Sequence, residues 1–316
     1  MLNSEVTFLS PTKITDFLHR YCIKTKKKSF FFKKWSIFFL FLQKTKEMPL
    51  EKDLNICVKG RLLNLNTPKI MGIVNFTTDS FYEKSRRNLE ALKYADIIDI
   101  GACSTRPGTA FNSLVRHGRS KAVDKAQEKR DLKEGLELLK KEYPRAIISV
   151  DTFRPTIAQW ALETGKADII NDVSGGMANM FETVAKYNVP YALTYPEGGF
   201  SHDMMLLFSK KLEKLYSLGV ADVILDPGFG FNKTMEQNFE IARNLDCLKC
   251  FNLPVLVGIS RKSMVQFATK TNANTALNGT TALNSFLLDK GANILRVHDT
   301  KEAKEVISIY KCINDL

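Results

Sequence analysis

At 316 residues, with 44% hydrophobic and 25% charged side chains, the chain is long enough to bury a large core without disulfides or metals. A formal net charge of +12 invites nucleic-acid or membrane binding. Residues 1–47 carry ten Lys or Arg against three acids, however, so the body is only mildly basic and neither nucleic acid nor a stable membrane association is expected.

That first segment stands apart. It is rich in Phe and Lys, and its longest apolar stretch, Ile37 to Leu42, is too short to span a bilayer. Three readings fit: translated upstream sequence with Met48 as the true start, a basic amphipathic arm, or an organelle-targeting peptide. The body begins cleanly after Met48, which favours the first.

From residue 53 the chain alternates short β-branched runs with helical patterns. CVKGRLLNLN (57–66) reads as a hairpin capping the amino-terminal end. The strand-like runs are KIMGIVNFT (69–77), ADIIDIG (95–101), AIISVDT (146–152), ADIINDVSG (167–175), PYALTY (190–195), ADVILDPG (221–228), PVLVGIS (254–260) and ILRVHD (294–299). Near-continuous apolar runs are expected of parallel strands covered on both faces. Helical stretches such as PTIAQWALETG, MFETVAKYN and TKEAKEVISIYKCIN follow them. The fold class is therefore α/β, a single (β/α)8 barrel over residues 53–316 with an amino-terminal hairpin.

The six cysteines form no disulfide framework for a chain this long, pointing to a reducing, cytoplasmic setting. Cys247 and Cys250 form a CxxC within the helical pattern NFEIARNLDCLKCFN, with no second pair at zinc spacing. Two buried or half-buried helix cysteines are expected there.

Seven of the eight strands end in a group able to bind or act: Asn75, Asp99, Asp151, Asn171, Asp226, the Arg261–Lys262 pair, and Arg296 with His298. In a (β/α)8 barrel those ends meet on one face, where active sites lie. Asp151, Asn171, Asp226 and Lys262 supply acceptors, an amide and a cation, suited to the edge of a flat heterocycle such as an aminopyrimidinone. Arg296 and His298 alternate with Val297, so both face one way and suit phosphate oxygens. Arg106 adds a cation. The loops FTTDSFYEKSRR and CSTRPGTAFN carry turn formers and polar groups, as lids do.

MGIVNFTTDSF, IDIGACSTRPGT, SVDTF, INDVSGG, LDPGFGF, GISRKS and RVHD, in this order, resemble the dihydropteroate synthase family over residues 53–316. The resemblance implies condensation of a dihydropterin diphosphate with p-aminobenzoate in folate biosynthesis, by loss of diphosphate and attack of the aniline nitrogen on the resulting cation. It implies that Asp151, Asn171, Asp226 and Lys262 bind the pterin, with Phe231 nearby, and that Asn75 helps hold Mg²⁺ on the diphosphate. Thr105, Arg106, Arg296 and His298 would meet the diphosphate. Lys262, Ser263 and Pro107 would shape the p-aminobenzoate pocket, and Glu83 would stabilise the cation. It also implies a homodimer, with residues 276–290 and 301–314 as candidate surface.

Several positions depart from the family. Pro is usual at Thr78, glycines near Lys84 and Ser85, and Gly-Glu at Ala102 and Cys103. Met-His is common where Thr194 and Tyr195 stand, which puts a hydroxyl or an aromatic face there. The alternatives are a pterin-binding methyltransferase, which would have no use for RVHD, SRK or STRPG, and a non-catalytic pterin-binding barrel, which the altered strand-five end and first loop would suit.

Overall fold

The computed structural model describes residues 53–76, 89–103, 124–177, 179–196 and 198–314. Residues 1–47 and the two lid-like loops, with Thr78, Glu83, Lys84, Ser85, Thr105, Arg106 and Pro107, lie outside them.

The elements run β1 (Asn55–Val58), β2 (Arg61–Asn64), β3 (Lys69–Asn75), β4 (Ile97–Gly101), α1 (Lys125–Glu142), β5 (Ile147–Asp151), α2 (Pro155–Glu163), β6 (Ile169–Asp172), α3 (Met180–Tyr187), β7 (Tyr191–Thr194), α4 (His202–Ser217), β8 (Val223–Asp226), α5 (Met235–Arg243), β9 (Leu256–Val257), α6 (Ser263–Thr269), α7 (Leu277–Asp289), β10 (Ile294–Val297) and α8 (Thr300–Asn314). β1 and β2 form an antiparallel hairpin. The other eight strands form one sheet in the order β8-β7-β6-β5-β4-β3-β10-β9, and every pairing in it is parallel. A parallel bridge between Leu225 and Val255 joins its edges. The chain is a (β/α)8 barrel.

Strand alternation divides the core in two. Ile98 and Ile100, Val150, Leu193, Leu225, Leu295 and Val297 face outward into the layer shared with the helices. Met71, Ile97, Ile169, Ala192, Ile224, Leu256 and Ile294 face inward and pack on Ile56, Val58 and Leu65 of the hairpin, which plugs the amino-terminal end. The strand starts are pinned by short polar side chains. Asp96 accepts from Ile70 N at 2.9 Å, Asp168 from Ile148 N at 2.8 Å, and Asn293 from Val255 N at 2.9 Å. A buried N–H left unpaired would be costly, so these residues help fix the register.

Two sequence expectations change. PVLVGIS yields only the two-residue β9; Pro254 has no N–H to give and contributes its carbonyl to Leu225 N instead. Cys247 and Cys250 are not buried helix residues: they are exposed on a 3-10 turn, Leu245–Phe251, beyond the end of α5. Among the described residues no helix is long and apolar enough to cross a membrane.

Candidate active site

From β4 to β8 the inward positions just above the apolar plug are polar. Asp99, Ser149, Asn171, Thr194 and Asp226 are all buried, on five successive strands from β4 to β8. Arg296 belongs to the same inward set, two residues beyond Ile294. Its Nε donates to Asp99 Oδ2 at 2.6 Å and its Nη2 to Asp151 Oδ2 at 2.6 Å. Asn171 Nδ2 donates to the same Asp99 oxygen at 3.1 Å. Asp99 is thus the hub of the network, a role its place at a strand end does not reveal.

Asp226 and Lys262 form the second half. The loop after β8 folds back so that Gly228 N donates to Asp226 Oδ1 at 2.7 Å and Gly230 N to Asn238 Oδ1 at 2.7 Å. Gly228 has φ +69°, and a Cβ there would lie 2.0 Å from the carbonyl oxygen of Tyr195, so only glycine fits. Lys262 caps α6, donates from Nζ to the carbonyl of Phe229, and holds its ammonium 5.0 Å from the Phe231 ring centroid. Phe153, Val173, Cys103 and Phe231 make a small apolar cluster from the segments after β5, β6, β4 and β8. Polar floor and apolar wall together are what a flat heteroaromatic ligand requires.

Burial dominates the electrostatics. It pushes the Asp151 carboxyl up to about 7, against the lowering effect of Arg296 and helped by Asp99, Asp172 and Asp226. Burial also raises Asp226, opposed by the Gly228 N–H, Lys262 and Arg296. It lowers the Lys262 ammonium to about 8, opposed by Asp226. Groups displaced toward neutrality in one pocket mark a binding or catalytic site.

The remaining expected residues are placed as follows. His298 is exposed beyond β10, its ring Nδ1 3.2 Å and its backbone N 3.3 Å from Ser260 Oγ. Asn75 is exposed at the end of β3, and Ser263 is exposed at the start of α6. Arg261 has φ +54° and pairs through Nε and Nη2 with Asp299 at 2.8 and 2.7 Å, and its Nη1 donates to Ala273 O at 3.0 Å.

A family model for pterin binding enzymes matches residues 71–298, which makes the chain a pterin-binding barrel enzyme. The bifunctional dihydropteroate synthase/dihydropteroate reductase of Helicobacter pylori is 37% identical over 274 residues, 79% of this chain and 69% of that one. The dihydropteroate synthase of Streptococcus pyogenes serotype M18 is 34% identical over 79% of this chain and 97% of its own. The solved dihydropteroate synthase of Xanthomonas albilineans with 4-aminobenzoic acid superposes with a TM-score of 0.74 at 28% identity, covering 84% of this chain and all of that one. The chain belongs to the dihydropteroate synthase family, transferases of folate biosynthesis.

Proposed function

We propose a division of labour among these residues for the dihydropteroate synthase reaction. Asp226, Asn171 and Asp151 take the aminopyrimidinone edge of the dihydropterin, and Lys262, which interacts with Asp226, donates to the ring. The observation that carries this is the linked, buried set of Asp99, Asp151, Asn171 and Arg296 at one level of the barrel, with Asp226 and Lys262 beside it. Asp99 Oδ1 and Asn171 Oδ1 have no hydrogen-bond partner among the described residues, and a polar ligand would satisfy them.

Arg296 has five N–H groups and commits two of them to Asp99 and Asp151. The others, with His298 above, suit diphosphate oxygens. As the methylene C–O bond breaks, its electron pair leaves with the diphosphate, and these donors offset the growing negative charge. The aniline nitrogen of p-aminobenzoate then bonds to the methylene carbon and sheds one proton, giving dihydropteroate and diphosphate. From the segments after β3 and β4, Thr105 and Arg106 would meet the diphosphate and Glu83 would stabilise the cation. Phe231 would pack near the pterin ring, while Ser263 and Pro107, with Lys262, would shape the p-aminobenzoate pocket.

Mg²⁺ would arrive with the substrate, since it is commonly held by substrate phosphates, waters and one or two protein oxygens. Asn75 would give one such oxygen, and the ion would neutralise the leaving diphosphate.

A second copy of the chain is the proposed partner, since Phe286 on α7 and Ile309 and Ile313 on α8 are exposed. The compartment expected is the cytoplasm. Turnover with dihydropterin diphosphate, p-aminobenzoate and Mg²⁺ should give dihydropteroate and diphosphate in equal amounts, and chelation should abolish it. Tight pterin binding without product would instead support a non-catalytic barrel.

A further inference from the structure

His298 is exposed beyond β10, and exposed side chains ordinarily change rotamer within nanoseconds. Two cross-links tie its segment to the turn that follows β9. Ser260 makes the first: its Oγ lies 3.3 Å from the backbone N of His298 and 3.2 Å from ring Nδ1. The second joins the next residue of each segment, Arg261 to Asp299, through two nitrogens at 2.8 and 2.7 Å. The turn is itself well anchored. Lys262 N donates to the carbonyl of Ile259 at 3.1 Å, and Arg261 N donates to Thr280 Oγ1 at 3.1 Å. Ser260 is only 6% exposed, so its hydroxyl is a fixed point beside a side chain that solvent reaches.

The chemistry of the hydroxyl decides which group donates. A backbone N–H can only donate, so that of His298 takes one lone pair of Oγ. The single hydroxyl proton then goes to Nδ1, which accepts it when the ring is neutral. An imidazole that accepts at Nδ1 carries its own proton on Nε2, because the bond made by one ring nitrogen sets the state of the other. Strand alternation gives the side on which that proton is offered. Val297 belongs to the outer core layer, so His298 falls on the same inner side as Arg296.

We propose that Ser260 is a positioning residue: its hydroxyl holds the His298 ring by Nδ1, so that Nε2–H is presented to the oxygens of the leaving diphosphate. Ser260 itself touches neither substrate. A ring already held in one orientation loses less rotamer freedom on binding than one that turns. The same short turn carries Lys262, so one rigid segment sets a donor for the pterin and orients a donor for the diphosphate. This inference rests on the proposed placing of His298 at the diphosphate.

The test is a double-mutant cycle. Inorganic diphosphate with Mg²⁺ is titrated into wild type, Ser260→Ala, His298→Ala and the double variant. S260A should bind diphosphate roughly three- to tenfold more weakly, the effect of one neutral hydrogen bond, while a 6-hydroxymethyl pterin lacking the diphosphate binds it as it binds wild type. With His298 already replaced, S260A should cost less than about twofold, since residues acting as one unit are not additive. The chain has four histidines, so the ring of His298 can be assigned in nitrogen-15 spectra of histidine-labelled protein by its loss in H298A. Its neutral ring should carry the proton on Nε2, and S260A should move its Nδ1 signal while the other three histidines stay put. Three results would overturn the proposal. One is diphosphate affinity in S260A within about twofold of wild type. Another is a full S260A effect that persists without His298, which makes the hydroxyl merely structural. The third is a neutral His298 protonated on Nδ1 in wild type, a reading that does not depend on S260A folding. Unchanged diphosphate affinity in H298A would instead remove His298 from the anion site, and this inference with it.

Discussion

Arg296 on β10 donates to Asp151 on β5 at 2.6 Å, although β10 pairs only with β3 and β9. The contact therefore crosses the barrel interior. Since Nε of the same guanidinium holds Asp99 on β4, one side chain ties three strands together at the level where the ring is proposed to bind. Arg296 then has one task that the contacts show, neutralising buried carboxylates, and a second that is proposed, offering its remaining donors to the leaving group.

The two tasks separate in Arg296→Ala and His298→Ala. Removing one partner of a buried ion pair typically costs about 3–5 kcal/mol, so R296A should lower Tm and weaken diphosphate binding together. His298 is exposed, so H298A should weaken diphosphate binding while Tm stays within error. Both should still bind the pterin ring, R296A less well. Unchanged diphosphate affinity in H298A, read by calorimetry, would remove His298 from the anion site.

The Asp151 carboxyl, raised to about 7 from 3.8 chiefly by burial, gives a pH-dependent stability difference. Between about pH 4 and 7 the folded protein keeps a proton that the unfolded chain has released, so this group's contribution to stability falls as pH rises. Asp151→Asn abolishes that slope. Relative to wild type, D151N should therefore gain stability as pH rises from 4 to 7, by up to about 1.4 kcal/mol per pH unit. Denaturant unfolding at pH 5 and pH 7 checks it, and a constant difference would refute it.

Burial lowers Lys262 to about 8, so its cation is lost within the alkaline working range. The kcat/KM for dihydropterin diphosphate should fall above pH 8. Lys262→Arg, which stays charged, should be slower at pH 7 but should lose the alkaline limb. A limb that persists in K262R belongs to another group.

Much of this was legible in the sequence because it is local. Eight β-branched runs, and polar residues at their ends, are properties of short windows, and the barrel brings those ends together. What was not legible depends on chain geometry between windows. Arg261 and Lys262 are adjacent, yet the left-handed φ at Arg261 sends it to Asp299 while Lys262 reaches the site. The hub role of Asp99 needs strands 72 and 197 residues away in sequence. Which of Thr194 and Tyr195 faces the barrel interior is not legible until alternation is anchored by Ala192 in the plug. The CxxC sits on an exposed turn because a 3-10 segment replaces the helix that the pattern suggested.

The loop after β8 supplies a test of how the site is positioned. Gly228→Ala forces a side chain into a left-handed backbone 2.0 Å from a carbonyl oxygen, a strain on the order of 1–3 kcal/mol before any clash is relieved. G228A should lower Tm and raise KM for the pterin substrate, because Asp226 loses its Gly228 N–H anchor. KM for p-aminobenzoate should move less. Wild-type Tm and KM would mean that the loop is not the support described.

The account stands or falls on whether the Asp226 carboxylate meets the ring. Calorimetric titration of a 6-hydroxymethyl pterin into wild type and Asp226→Asn is the direct measurement. Wild type should bind and D226N, folded by circular dichroism, should bind at least about tenfold more weakly, the loss of a charge-assisted hydrogen bond in a buried site. Equal affinity in the two proteins would contradict the assignment of this pocket to the pterin.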